Sequence, residues 1–212
     1  MNHFFAYLAY NTGQELSYEN LANDSGIAKD TIRKYLEYLE SAFLIKVLNK
    51  VDINAKRLKR VTNFKVYLTN ASLRTALFSP VIETDKEMGN LVETAIYSQW
   101  MHRENIDLTY ARWKTGKTEG EVDIVLVDSK YFKPVWAVEI KWSDRFFNHP
   151  KELKSVLKFC ENNQFDKAVV TTIESTGNKS EQDVNLTFIP ASVYAYNVGV
   201  NTLKQKNIFG AV

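Results

Sequence analysis

Apolar positions recur along the chain in two periods, and the changes between them mark out its elements. The opening run His3–Tyr10 (HFFAYLAY) is strongly apolar and reads as a helix cut at its start. Asn11-Thr12-Gly13 closes it with turn chemistry. Ser17 is positioned to cap a second, short helix over Tyr18–Ala22, with Asn20 at its third position. After the turn Ser25-Gly26-Ile27-Ala28, a third helix opens at Lys29 or Asp30. Its apolar residues Ile32, Tyr35, Leu36, Leu39 and Phe43 lie on one helical face. Two strands, Leu44–Val51 and Val61–Thr69, then flank a basic loop, Asn54–Arg60. Helix, helix, glycine turn, helix and a strand pair predict a winged helix-turn-helix over residues 1–75.

The rest, residues 76–212, reads as a second domain, with the boundary between Asn70 and Thr84. A short helix from about Asn70 ends before Ser79-Pro80. Thr84–Glu87 (TDKE) has the form of a capping box. A helix follows to Met101 or Arg103, its apolar face built from Met88, Leu91, Val92, Ala95, Ile96 and Trp100. Glu93 stands at the margin of that face. Strands are predicted at Leu108–Trp113, Glu121–Val127, Val135–Trp142, Lys167–Ile173 and Leu186–Ile189. A helix is predicted at Pro150–Asn162, with Leu153, Val156, Leu157 and Cys160 inward. Glu174–Asn185 reads as a surface loop, Pro190–Val198 as a short helix, and the tail after Gly199 as loosely ordered. The expectation is an α/β (α+β) domain with a mixed sheet.

The stretch Glu121–Trp142 carries the chemistry. EVDIVLV and VWAVEIKW alternate tightly around a polar link, Asp128–Pro134, and form a β-hairpin. With the turn centred near Tyr131, Asp123 falls across from Glu139 and Glu121 across from Lys141. A one-residue slip would move each acid to the other face. Both arms are apolar on both faces for most of their length, so two carboxylates and a lysine gather at one end of a buried face. Such acids repel each other and lose hydration, at a cost of several kcal/mol unless a partner compensates. Mg²⁺ or Mn²⁺ suits one Asp and one Glu, which leave room for water and phosphate oxygens. Lys141 could then orient an attacking water or stabilise charge developing on phosphorus. A solvated strand end, or a structural Glu121–Lys141 pair, is the competing reading.

Charge refines this picture. Residues 1–80 hold 11 Lys/Arg against 7 Asp/Glu, and the remainder 16 against 18. Lys56, Arg57, Lys59 and Arg60 in the basic loop, and Arg33 and Lys34 on the third helix, are candidate nucleic-acid contacts. Glu37 and Glu40 share that helix's exposed face and would repel phosphate, so packing of the helix on another domain stays open beside DNA reading. Cys160 is the only cysteine, which excludes an intramolecular disulfide and a cysteine zinc cluster. No apolar run suits a membrane span, and the N-terminus has no secretory signal pattern. A cytoplasmic protein without a membrane partner is expected. Gly116-Lys117-Thr118 lacks the earlier glycine of a phosphate-binding loop, because Ala111 stands there, and a strand follows it rather than a helix. No nucleotide site is expected.

Asp123 followed by Glu139-Ile140-Lys141 resembles the D…ExK core of the PD-(D/E)xK nuclease-like superfamily. More of the chain supports a second likeness. TIRKYLEYLESAFLI, VYLTNASLRTALF, MGNLVETAIYSQW, GEVDIVL and AVEIKWS occur in the order seen in the C-terminal half of a prokaryotic family of AAA-type P-loop ATPases. There a winged helix and a nuclease-like domain follow an ATPase domain. The resemblance implies that Asp123, Glu139 and the Ile140 carbonyl hold the metal. It implies that Glu93, on the preceding helix, completes or tunes the site, and that Lys141 serves the water. It also implies an ATPase partner, in a longer chain or a separate one, with this chain a truncated product or a fragment. Two functions remain open: a metal-dependent nuclease acting on DNA, or a non-catalytic module that docks DNA, a protein or the ATPase. Oligomeric state is not legible.

Overall fold

The computed structural model describes residues 2–56, 62–103, 106, 108–116, 118–128 and 133–208. It is a mixed α/β structure in two compact units. The first comprises Met1–Asn49 and Arg60–His102, and the second Lys50–Lys59 and Arg103–Val212.

In the first unit α1 (Asn2–Tyr10) is followed by a short strand, β1 (Glu15–Ser17), then α2 (Tyr18–Ser25) and α3 (Lys29–Ser41). The Ser17 side chain accepts the Asn20 N–H at 3.0 Å, as its position predicts for an N-cap. Gly26 ends α2 in the left-handed region, φ 69°, where a side chain would be strained. Strands β2 (Ile45–Val51) and β3 (Asn63–Leu68) pair antiparallel from Ile45↔Leu68 to Asn49↔Phe64, and β1 adds to β3 with Glu15↔Lys65. Phe4, Leu8, Leu21, Ile32, Leu36, Leu39, Phe64 and Val66 form the core, as the periodicity of α3 predicts for Ile32, Leu36 and Leu39. Phe43, expected on the same face, lies past the helix end at Ser41, at positive φ, and is exposed. The order of this part is helix, strand, helix, helix, strand, strand, with β1 the one element the periodicity did not announce.

Then come α4 (Ser72–Leu77) and α5 (Met88–Trp100). TDKE does not cap α5. The Asp85 carboxylate turns back to the Ile82 N–H at 2.9 Å and stabilises a turn, so the helix starts only at Met88. The buried positions of α5 also differ from the expected stripe. Glu93, Thr94, Ile96, Tyr97, Ser98 and Trp100 are buried, whereas Leu91 and Val92 at the start of that stripe are less so. Polar side chains lie inward here because they find partners: Thr94 meets Thr12 at 2.9 Å, and Glu93 meets Lys65 and Tyr67. Tyr97 stacks on Tyr67 with centroids 4.0 Å apart.

The second unit is built on β4 (Leu108–Thr115), β5 (Thr118–Val127), β6 (Pro134–Glu139), β7 (Lys167–Thr172), β8 (Gly177–Glu181) and β9 (Val184–Pro190). Their order across the sheet is β4-β5-β6-β7-β9-β8. The β6–β7 and β7–β9 pairs are parallel and the others antiparallel. Between β6 and β7 run α6 (Arg145–Asn148), a 3₁₀ turn at Pro150–Glu152, and α7 (Lys154–Asn163). α7 packs on β5 and β6 and buries Val156, Leu157, Phe159 and Cys160 against Val125, Val127 and Ala137. Residues of the segment after β2 join this unit, where Asn163 Nδ2 donates to the Ile53 carbonyl at 2.7 Å.

Two expectations fail at the C-terminal end. Glu174–Asn185 is not a loop throughout, because β8 and β9 form a hairpin about Gln182 and Asp183, both at positive φ. The polar sequence hid β8, an exposed strand on the edge of the sheet. The tail after Gly199 is helical in its described part, since α8 runs Ala191–Ile208 and buries Val198 and Thr202. Among the described residues no helix is long and apolar enough to cross a membrane.

One cross-strand pair makes a sharp prediction. Trp113 on β4 faces Gly120 on β5, and its ring lies where a side chain would stand: a Cβ on Gly120 would clash with the indole. Trp113 is buried and stacks on Phe159 at 6.2 Å, so it has little room to withdraw. Gly120→Ala is expected to cost about 1–3 kcal/mol through overpacking. Urea unfolding measures it, and an unchanged midpoint would mean that the indole swings away freely.

Candidate functional site

The register of the hairpin runs Ile124↔Val138, Val125↔Ala137 and Leu126↔Trp136. The next step along this ladder sets Asp123 beside Glu139, as the alternation of the two arms predicts. β6 is shorter than expected and ends at Glu139, with Ile140–Trp142 leaving the strand. Asp123 is 7% exposed and Glu139 5% exposed. They share a face with Val125, Val127 and Ala137, which lie in the core packed by α7.

Asp123 Oδ2 accepts the backbone N–H of Ile140 at 2.7 Å, which fixes its carboxylate at the point where β6 ends. Lys141 Nζ approaches Glu139 Oε1 at 2.6 Å and stands 5.9 Å from the Phe146 ring centroid. Thr171 on β7 holds the backbone of Lys141 twice, accepting its N–H at 2.8 Å and donating to its carbonyl at 2.9 Å. Nothing in the sequence announces this clamp. Thr171 lies in the apolar run KAVVTTI, where a hydroxyl reads as an ordinary strand residue.

Glu139 carries the electrostatic signature of the site. Burial, and then the neighbouring charge of Asp123, push its pKa up to about 8, although Lys141 pulls the other way. Among the described residues its buried Oε2 has no hydrogen-bond partner. Cys160 of α7 is affected too: burial, with a smaller contribution from Glu139, pushes its thiol up to about 12. Glu121, within β5, pairs with Arg112 across from it on β4 at 3.2 Å. Beyond Lys141, Asp144 accepts the N–H groups of Ser175 at 2.7 Å and Glu174 at 3.1 Å. Burial raises its pKa, but those donors outweigh it and hold the carboxylate below its ordinary value.

The donor set fits a hard divalent cation. Two buried carboxylates converge, and one oxygen is left without a donor. Charge neutralisation would relieve the repulsion that lifts Glu139. Among the described residues no three His, Cys, Asp or Glu side chains gather as ligands, so Asp123 and Glu139 would need backbone and water oxygens. The Ile140 carbonyl belongs to the same bend.

The other candidates are distributed differently. Glu93 lies in the first unit, where its carboxylate accepts from Lys65 Nζ at 3.0 Å and from the Tyr67 hydroxyl. Arg33 is engaged by Asp30 at 2.8 Å and stands over the Tyr18 ring at 4.9 Å. Burial raises the Tyr18 pKa even though Arg33 opposes it. Lys34 is exposed on α3, close to the exposed Glu37. Glu40 on the same helix accepts the Val47 N–H at 2.9 Å and pairs with Lys46 at 3.2 Å. Lys56 is exposed, while Arg57, Lys59 and Arg60 lie outside the described residues.

Comparison with known families divides the chain near the start of α5. Residues 1–84 match the family described as Domain of unknown function (DUF8612), and residues 88–194 match Domain of unknown function (DUF4143). No match was found among curated proteins or among solved structures. The second match spans half of the chain and takes in both site strands and α7, so the chain belongs to the DUF4143 family.

Proposed function

We propose that the second unit is a metal-dependent nuclease module, with DNA as its substrate. The observation that carries this reading is the buried Asp123–Glu139 pair, with an orphaned Glu139 Oε2 and the Lys141 ammonium beside it. Mg²⁺ or Mn²⁺ held by Asp123, Glu139 and the Ile140 carbonyl would supply Lewis-acid polarisation of a phosphate oxygen. The protein's own contribution is positional. The Ile140 N–H holds Asp123, Thr171 fixes the backbone of Lys141, and Lys141 presents a cation where charge builds on phosphorus. Likeness to the C-terminal half of AAA-type ATPases supports a setting in which an ATPase domain, in the same chain or a partner, works with this module. The first unit would dock DNA or that partner.

One observation favours a non-catalytic interaction module instead: the 2.6 Å contact that commits Lys141 to Glu139, as a structural ion pair would. A plasmid-nicking assay separates the two. With Mn²⁺ the wild type should nick supercoiled DNA, Glu139→Ala should be inactive, and Lys141→Met should lose roughly 100-fold. Absence of Mn²⁺-dependent nicking, or equal nicking by wild type and Glu139→Ala, would leave the interaction module as the better reading.

A further inference from the structure

The first unit holds a pocket that the nuclease reading does not use. It has a volume of about 610 Å³ and is lined by Tyr10 at the end of α1, by Arg74 and Leu77 of α4, and by Phe78 and Ser79 after it. Arg74 is only 6% exposed. Its guanidinium stands over the Tyr10 ring, 5.7 Å from the centroid, and Tyr10 meets Phe78 edge-on at 5.4 Å. Among the described residues no carboxylate pairs with it and no oxygen accepts from its N–H donors.

Its nitrogens are not sealed in the interior but open into the pocket. A guanidinium cannot shed its charge at any ordinary pH, and its edge carries five donors that a ring face cannot satisfy. Lys65, the other buried cation among the described residues of this unit, is paired with Glu93. Arg74 differs in that it lines a pocket, so its donors are left for something that enters. The walls define the rest of the ligand. Tyr10, Leu77 and Phe78 offer aromatic and aliphatic surface, and Ser79 offers one hydroxyl. A single cation matches a single negative charge, whereas a phosphate dianion would be left half compensated.

We infer that this pocket binds a small monocarboxylate, its carboxylate on the Arg74 fork and its apolar body against Tyr10, Leu77 and Phe78. The site is formed by residues of the first unit and does not depend on the nuclease reading.

Isothermal titration of the full chain with sodium benzoate tests it, with inorganic phosphate and a glutamate-rich peptide as parallel titrants. Benzoate should bind saturably, and neither of the others should. Arg74→Met should weaken benzoate at least about tenfold, the loss of a charge-assisted pair. It should also leave the melting temperature without benzoate unchanged or raised, because it strands no partner among the described residues. A purely structural arginine would give a fall instead. Should Arg74→Met fail to fold, Arg74→Lys keeps the charge without the planar fork and must still weaken benzoate. Failure of the wild type to bind benzoate overturns the inference, as does binding of phosphate or the peptide in its place, or benzoate affinity unchanged in the variants.

Discussion

Metal-free wild-type protein is expected to lose stability steadily as pH rises from about 5 to 8, and Glu139→Gln is expected to flatten that decline. The unfolded chain releases the Glu139 proton near 4.5, whereas the folded chain holds it to about 8. Between those values the folded state binds more protons than the unfolded state, so raising the pH favours unfolding. The slope is on the order of 1 kcal/mol per pH unit. Below the window both states are protonated and the acid costs little. Above it, the fold must bear a buried negative charge beside Asp123. Glutamine keeps the shape and removes the titration, so the two proteins should be similar near pH 5 and the variant more stable near pH 8.5. Asp123→Asn should act in the same direction, since an amide oxygen can still accept from the Ile140 N–H while the repelling charge is gone. Urea unfolding in EDTA at several pH values measures all three. Mn²⁺ should then stabilise the wild type at pH 8 and neither variant, because ligation stabilises only the state that binds. A wild-type profile that is flat, or that rises from pH 5 to 8, would show that these acids are structural partners of the groups around them.

The second large effect lies in the first unit. Lys65 and Glu93 form an ion pair at 3.0 Å, with side chains 3% and 9% exposed, and the Tyr67 hydroxyl donates to the same carboxylate oxygen. Neither charge can be left alone there without a severe desolvation cost. Lys65→Met is expected to cost about 3–5 kcal/mol, and Glu93→Gln a comparable amount, since each strands its partner. Combining Lys65→Met with Glu93→Gln should recover most of that loss, because no charge remains and the new amide oxygen can still accept from Tyr67. A double-mutant cycle by urea unfolding gives the coupling. Single variants within about 1 kcal/mol of wild type, with additive effects, would mean that water reaches the pair. The same variants bear on the expected catalytic role of Glu93. If its work is to hold α5 on β3, Glu93→Gln lowers stability and leaves Mn²⁺ affinity unchanged.

Much of the candidate site was legible because strand alternation is strict. Once EVDIVLV and VWAVEIKW are hairpin arms, the turn fixes which residues face each other, and Asp123 follows Glu139 onto one face. The succession of helices and strands in the first unit was legible for similar reasons: Ser17, Gly26 and the periodic positions of α3 are strong local signals. What stayed hidden depends on partners distant in sequence. Glu93 reads as a marginal surface acid until Lys65 and Tyr67 are beside it. Thr171 looks like any strand threonine until the backbone of Lys141 arrives. TDKE satisfied a capping pattern, but Asp85 found the Ile82 N–H first. The polar run of β8 has no apolar face to announce a strand, and α8 lacks the one-sided pattern that would have carried it past Gly199.

The hairpin of β8 and β9 has a consequence for how the protein behaves in a crowded solution. β8 ends the strand order of the second unit and so exposes a row of backbone donors and acceptors to any passing strand. Its side chains are Asn178, Lys179, Ser180 and Glu181, all polar. Lys179 is held 4.6 Å from the Phe147 ring centroid, which keeps an ammonium fixed along that border. A second sheet approaching edge-on would have to strip water from these polar and charged groups. The strand that was hardest to read from the sequence thus guards the protein against stacking into aggregates, and its polarity is what makes it both hard to see and fit for that task.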